Sequence, residues 1–226
     1  MTMIASNLQA VHGRIDAACR GAGRDPAQVR LLAVSKTFGL PQLAQALDAG
    51  QLCFGENYIQ EAVHKIQALG QRGVEWHCIG PIQSNKTRLV AEHFDWAQSV
   101  DRLKIAQRLS EQRPAGMAPL QVCIQVNTDG GPTKAGVMPD ELPALVDAVC
   151  RLPRLTLRGL MTIPEPVGEF AAAVALHARA RVLFDALNAR GLQLDTLSMG
   201  MSADLDAAIH AGSTMVRIGS AIFGQR

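Results

Sequence analysis

The chain has 226 residues, of which 48% are apolar, 4% aromatic and 19% charged, with a formal net charge of +2. That length suits one large α/β domain or two small ones with a substantial core. So few aromatics and so even a charge balance exclude a base-stacking platform, a basic stripe for nucleic acid and an anionic membrane surface as partner.

Residues 3–20 carry apolar side chains at helical spacing (Ile4, Leu8, Val11, Ile15, Ala18), which predicts an outer N-terminal helix. The apolar run at 31–36 reads as a strand buried on both faces of a parallel sheet, and it ends in Lys36. A helix over 41–49 opens with Pro41 in its first turn. Strand 51–55, helix 59–69, strand 75–80 and helix 84–93 follow, then a short strand 95–100 and helix 101–113. The fifth strand spans 120–127 and leads into a loop at 128–137 that is rich in Gly and Thr, then helix 140–150. Strand 156–161, a Pro-containing loop at 163–167, the alanine-rich helix 169–190, strand 196–199, helix 205–211 and strand 215–218 complete the series.

Eight strands alternating with helices predict one α/β domain over residues 1–226, a single (β/α)8 TIM barrel with an extra N-terminal helix. No G-x-G-x-x-G follows the first strand, which disfavours a doubly wound open sheet. The five cysteines (Cys19, Cys53, Cys78, Cys123, Cys150) are odd in number and widely spaced, with no C-x-x-C. They read as buried, reduced thiols in a reducing cytoplasm rather than disulfides or zinc ligands. No signal-peptide pattern and no apolar run of membrane-spanning length is present, so cytoplasmic localisation is expected.

In such a barrel the carboxyl ends of the strands line the active site. Strand one delivers Lys36, a Schiff-base nucleophile by position. Strand two runs into Gly55-Glu56-Asn57, and strand three gives His77 and then Gln83, Asn85 and Lys86. His77 reads as a satisfied core histidine. Asn57, Gln83 and Asn85 read equally well as loop-capping amides or ligand contacts. His12, His64, His93, His177 and His210 lie on helices with no metal-like spacing, and no metal site is expected. Gly200-Met201-Ser202-Ala203-Asp204 enters a helix with Ser202 as its expected N-cap, and Gly219-Ser220 opens another short turn. These two loops, after strands seven and eight, together read as a phosphate cradle. An amine facing a phosphate cradle suits either a Schiff-base aldolase on a sugar phosphate or a holder of pyridoxal 5'-phosphate (PLP). Spacing alone does not choose.

The motifs Ala33-Val34-Ser35-Lys36, Phe54-Gly55-Glu56-Asn57-Tyr58-Ile59-Gln60-Glu61 and His77-x-Ile79-Gly80-x-Ile82-Gln83-x-Asn85-Lys86 occur in that order. Further on come Gln125-Val126-Asn127, Gly159-Leu160-Met161-Thr162-Ile163-Pro164, Ser198-Met199-Gly200-Met201-Ser202-x-Asp204 and Val216-Arg217-Ile218-Gly219-Ser220-x-Ile222-Phe223-Gly224. Over nearly its whole length the chain resembles the pyridoxal phosphate homeostasis protein family, related to the N-terminal barrel of alanine racemase. The resemblance implies PLP bound covalently on Lys36 as an internal aldimine. It further implies phosphate taken by Ser202 with the backbone of Gly219 and Ser220, Arg217 at the pyridine nitrogen, and Asn57 and the segment from Met199 to Met201 beside the cofactor. One departure stands out. The family loop usually carries a glutamate before its lysine, whereas Thr128-Asp129-Gly130-Gly131-Pro132-Thr133 has none, though Lys134 is retained.

The resemblance to alanine racemase also sets an expectation about turnover. That enzyme uses a second base, a tyrosine from a β-rich domain absent from this sequence, and the one tyrosine here is Tyr58, on the loop after strand two. Arg217 stays protonated and so cannot readily protonate the ring nitrogen, which weakens the electron sink. The expectation is a monomeric PLP carrier with little or no catalysis, in transient contact with PLP-dependent apoenzymes. A slow amino-acid racemase and the aldolase are the alternatives.

Overall fold

In the computed structural model, which describes residues 2–70, 72–131 and 134–224, eight parallel strands close into a barrel in sequence order. They are β1 (Arg30–Val34), β2 (Cys53–Glu56), β3 (Glu75–Cys78), β4 (Trp96–Val100), β5 (Leu120–Gln125), β6 (Leu155–Met161), β7 (Thr196–Ser198) and β8 (Met215–Ile218). β1 pairs with β2 on one side and β8 on the other, which closes the ring. The family-like barrel with an added N-terminal helix is therefore as the sequence predicts.

Period-two alternation explains the continuous apolar character of β1. Leu31 and Ala33 pack outward into the main core between sheet and helices, while Leu32 and Val34 point inward with Ile79 and Met215. A second inner cluster holds Trp96, Cys123 and Met161. The outer layer comprises α1 (Met3–Gly21), α2 (Leu40–Asp48), α3 (Ile59–Leu69), α4 (Thr87–His93), α5 (Leu103–Gln112), α6 (Leu142–Val149), α7 (Phe170–Ala189), α8 (Leu205–His210) and α9 (Ser220–Phe223). The helix α1 buries Ile4, Leu8, Val11, Ile15, Ala18 and Cys19, and Thr2 caps it by accepting the Ala5 N–H.

Several boundaries differ from expectation. β1 ends at Val34, so Lys36 stands two residues past the strand in a turn rather than on its last position. β3 stops at Cys78 and β5 at Gln125, because the chain then leaves the ladder to form the mouth loops. Ser202 does not cap α8. A turn at 202–204 intervenes, and the cap position is Asp204. All five cysteines are free, but Cys53 is half-buried and Cys150 exposed just past α6, against the expectation of buried thiols. Among the described residues no helix is long and apolar enough to cross a membrane.

Candidate functional site

A cavity of about 500 Å³ opens at the carboxyl ends of the strands. It is lined by Val34, Lys36, Asn57, Ile79, Ile163, Met201, Ser202, Ala203, Arg217, Gly219 and Ser220. The residues expected at a ligand site (Lys36, Asn57, Met201, Ser202, Arg217, Gly219, Ser220) thus come together around one space. Met199 does not join them, since it is fully buried in the outer core. Gln83 and Asn85 are exposed and lie outside the lining.

Each wall has a local cause. Gly200 takes φ +96°, and a Cβ there would sit 2.5 Å from the Ala208 side chain, so only glycine lets the loop after β7 fold back on α8. Asp204 then organises that loop. Its carboxylate accepts the Met201 N–H at 2.6 Å and pairs with His177 of α7 at 2.9 Å. Arg14 of α1 donates to the Ser202 carbonyl at 2.6 Å, so the extra N-terminal helix braces the same loop. Ser220 and Ser202 face one another, hydroxyl to hydroxyl, at 3.4 Å. On the opposite wall, a Cβ on Gly80 would lie 2.3 Å from the Asn57 carbonyl, so glycine brings the loop after β3 against Asn57. The Asn57 Oδ1 is buried without a hydrogen-bond partner among the described residues.

Arg217 is 4% exposed and, among the described residues, touches no carboxylate. It donates to the Ser198 hydroxyl and to the Thr162 carbonyl, each at 2.8 Å. Burial pulls its guanidinium down to about 10, partly offset by Asp204, and it remains a cation at neutral pH. A chain of hydrogen bonds runs from it down the barrel interior. Ser198 donates to Gln98 Oε1 at 2.7 Å, Gln98 Nε2 donates to His77 Nδ1 at 2.9 Å, and His77 Nε2 donates to Glu75 at 2.7 Å. Arg30 closes the far end on Glu75 at 2.6 Å. Burial pushes His77 down toward its neutral form, and one tautomer satisfies every bond in the row. His77 is also stacked on Trp96, with ring centroids 5.0 Å apart. It is a core histidine, but one that belongs to the support of Arg217.

Gln98 and Glu75 were not singled out from the sequence, and Ser198 entered only as the first residue of a motif. Gln98 carried a signal, because a glutamine amid the buried strand Trp96–Val100 needs partners.

A sequence model described as alanine racemase, N-terminal domain, matches residues 6–226. The chain is 59% identical to a pyridoxal phosphate homeostasis protein of Pseudomonas aeruginosa, over 100% of this chain and 97% of the relative. It is 54% identical to the protein of that name in Escherichia coli K12, over 100% and 98%. The chain belongs to the pyridoxal phosphate homeostasis protein family. A solved structure of PipY from Synechococcus elongatus PCC7942, with PLP bound, matches with a TM-score of 0.84 and 37% identity, covering 98% of this chain and all of that one.

Within this homeostasis family fold, Lys134 of the loop after β5 meets one carboxylate of its own loop and one from outside it. Lys134 pairs with Glu165, from the loop after β6, and lies 3.5 Å from Asp129. Asn127 braces the same loop by accepting the Gly130 N–H and donating to the Gly131 carbonyl. Pro132 and Thr133, part of the variant segment, lie outside the described residues. Tyr58 is 54% exposed and does not line the cavity.

Proposed function

We propose that this chain is a PLP-binding protein of vitamin B6 homeostasis that holds the cofactor covalently on Lys36 and turns over little or nothing. The observation that carries the reading is the composition of the cavity wall. Lys36 and Arg217 are the only ionisable groups lining it among the described residues. One is an amine suited to condense with an aldehyde, the other a buried cation, and no second general base joins them. PipY, with PLP bound, supports the ligand's identity.

The residues present fit the cofactor. Asn57 Oδ1 is a buried acceptor awaiting a donor, and Ser202 and Ser220 form a facing pair of hydroxyls. A Cβ on Gly219 would approach the Val34 carbonyl to 3.2 Å, so glycine lets the turn after β8 close against β1 at the cavity wall. In this reading Ser202, Ser220 and the backbone at Gly219 and Ser220 hold the phosphate. Lys36 supplies the amine, Asn57 and Met201 border the ring, and Arg217 lies at the ring nitrogen. When bound, the cofactor supplies an aldehyde carbon and a ring that stabilises negative charge. Arg217 limits the second property, because a guanidinium held by Ser198 and Thr162 keeps its own protons. The five free thiols fit a reducing cytoplasm, and the reading includes a monomer that meets PLP-dependent apoenzymes transiently.

The test is a titration of apoprotein with PLP, followed by visible absorption, beside a coupled assay for amino-acid racemisation. The expected result is saturation at one PLP per chain with no turnover at ordinary enzyme rates. Absence of binding overturns the ligand. Racemisation that rises in step with bound PLP overturns the claim of little turnover.

A further inference from the structure

The main chain on both sides of Lys36 is pinned by groups that lie outside the cavity. Ser35 still makes a ladder bond, its N–H donating to the Gly55 carbonyl at 3.0 Å. Two residues later Thr37 takes φ +67°, a left-handed conformation that disfavours a β-branched side chain and persists only when its surroundings impose it.

Those surroundings are three charged side chains from β2 and α3. Glu61 Oε1, in the first turn of α3, accepts the Thr37 N–H at 2.6 Å. Lys65, one turn further on, lies 2.6 Å from that same oxygen. Its ammonium also donates to Glu56 Oε1 at 2.7 Å and to the Ser35 carbonyl at 2.8 Å, so all three of its N–H groups are used. The Ser35 hydroxyl donates to Glu56 at 2.6 Å. Lys65 is 5% exposed and Glu56 1%, and Glu56 Oε2 has no hydrogen-bond partner among the described residues. A buried charge cluster left partly unsatisfied is a poor device for stability compared with an apolar one. Every bond that it makes to the backbone falls on residue 35 or residue 37. None of the three side chains lines the cavity.

We infer that Glu56, Glu61 and Lys65 are positioning residues that clamp the backbone flanking Lys36 and so aim its amine for covalent capture of an aldehyde ligand. In that capture the Lys36 nitrogen bonds the aldehyde carbon, and the aldehyde oxygen leaves as water with both amine protons. The clamp acts through geometry, by removing the rotation that would otherwise precede the step. The inference rests on the PLP reading above and adds to it the means by which the amine is held.

The test compares two ligands, PLP and pyridoxine 5'-phosphate, whose alcohol cannot condense with an amine. Their affinities are measured by titration on the wild type, Glu61→Ala and Lys65→Met, with circular dichroism melts recording the fold. Both variants should lose about 10–100-fold in affinity for PLP while holding the alcohol within about 2-fold of wild type. Glu61→Ala carries the result if Lys65→Met fails to fold, because it leaves the Glu56–Lys65 pair in place. Equal losses for both ligands, or no loss for PLP, overturn the clamp. A wild type that binds PLP no better than the alcohol overturns covalent holding itself, and the clamp with it, and is thereby distinguished from a failure confined to the variants.

Discussion

Replacing Gln98 with Leu cuts the row of hydrogen bonds beneath Arg217 at its middle. The side chain is fully buried, and the change removes the 2.9 Å bond to His77 and the 2.7 Å bond from Ser198 while keeping nearly the same volume. His77 Nδ1 then loses its donor and the Ser198 hydroxyl its acceptor. Two orphaned buried groups at about 1–3 kcal/mol each, with some relaxation, give a cost of about 2–4 kcal/mol. His77→Phe keeps the stack on Trp96 but leaves the Gln98 N–H that pointed at His77 without its acceptor, at about 1–3 kcal/mol, while the bond from Gln98 to the Met215 sulfur remains. In the double variant neither His77 Nδ1 nor the Gln98 amide remains to be orphaned, so the combined cost should fall short of the sum by about 2–3 kcal/mol. Against a typical domain stability of about 5–15 kcal/mol all three proteins should fold. Urea denaturation of the four apoproteins measures the cycle. Strict additivity, or a Gln98→Leu cost under about 0.5 kcal/mol, would refute the hydrogen-bonded row as described.

Other consequences are as direct. Burial pushes Glu75 up, but the His77 N–H and Arg30 outweigh it and hold the carboxyl at about 2, below its ordinary value of 4.5. A lowered carboxyl adds stability that is complete above 4.5 and is lost as the pH falls toward 2. Glu75→Gln should therefore cost about 1–2 kcal/mol at neutral pH, discounted for a side chain one-third exposed, and nothing near pH 2; parallel stability curves from pH 2 to 7 would contradict this. Gly159→Ala would place a Cβ 1.7 Å from the Thr196 carbonyl, where β6 meets β7, and should cost more than about 3 kcal/mol in a thermal melt. Ser202→Ala should weaken PLP binding about 10-fold without altering the melt of the apoprotein, as expected for loss of one hydrogen bond to an anion.

The barrel was legible because its signals are local and repeated: eight apolar strands, each followed by a helical period. Lys36 was legible as an amine closing an apolar run, whereas the place expected of Arg217 came from the resemblance to the homeostasis family. What escaped depended on closure of the ring. Gln98 was visibly out of place in β4, yet its partners His77 and Ser198 lie on β3 and β7, and only the closed barrel brings the three together. Glu56 was expected at the mouth from its place at the end of strand two, but it does not line the cavity, Glu61 entered only within a motif and Lys65 not at all; their convergence on residues 35 and 37 depends on how α3 returns over the strand. Ser202 has the chemistry of a helix cap, but the turn at 202–204 moves the cap to Asp204 and leaves Ser202 at the cavity. Met199 and Met201 look alike in sequence, and β-alternation with the turn at Gly200 sends one to the core and the other to the mouth.

The most direct test of covalent holding is borohydride reduction of the PLP-saturated protein, followed by peptide mass mapping. The account predicts one pyridoxyl phosphate group per chain, on the peptide containing Lys36, and no label in Lys36→Ala. Label on another lysine, or a wild type that releases all its PLP unreduced, would contradict it.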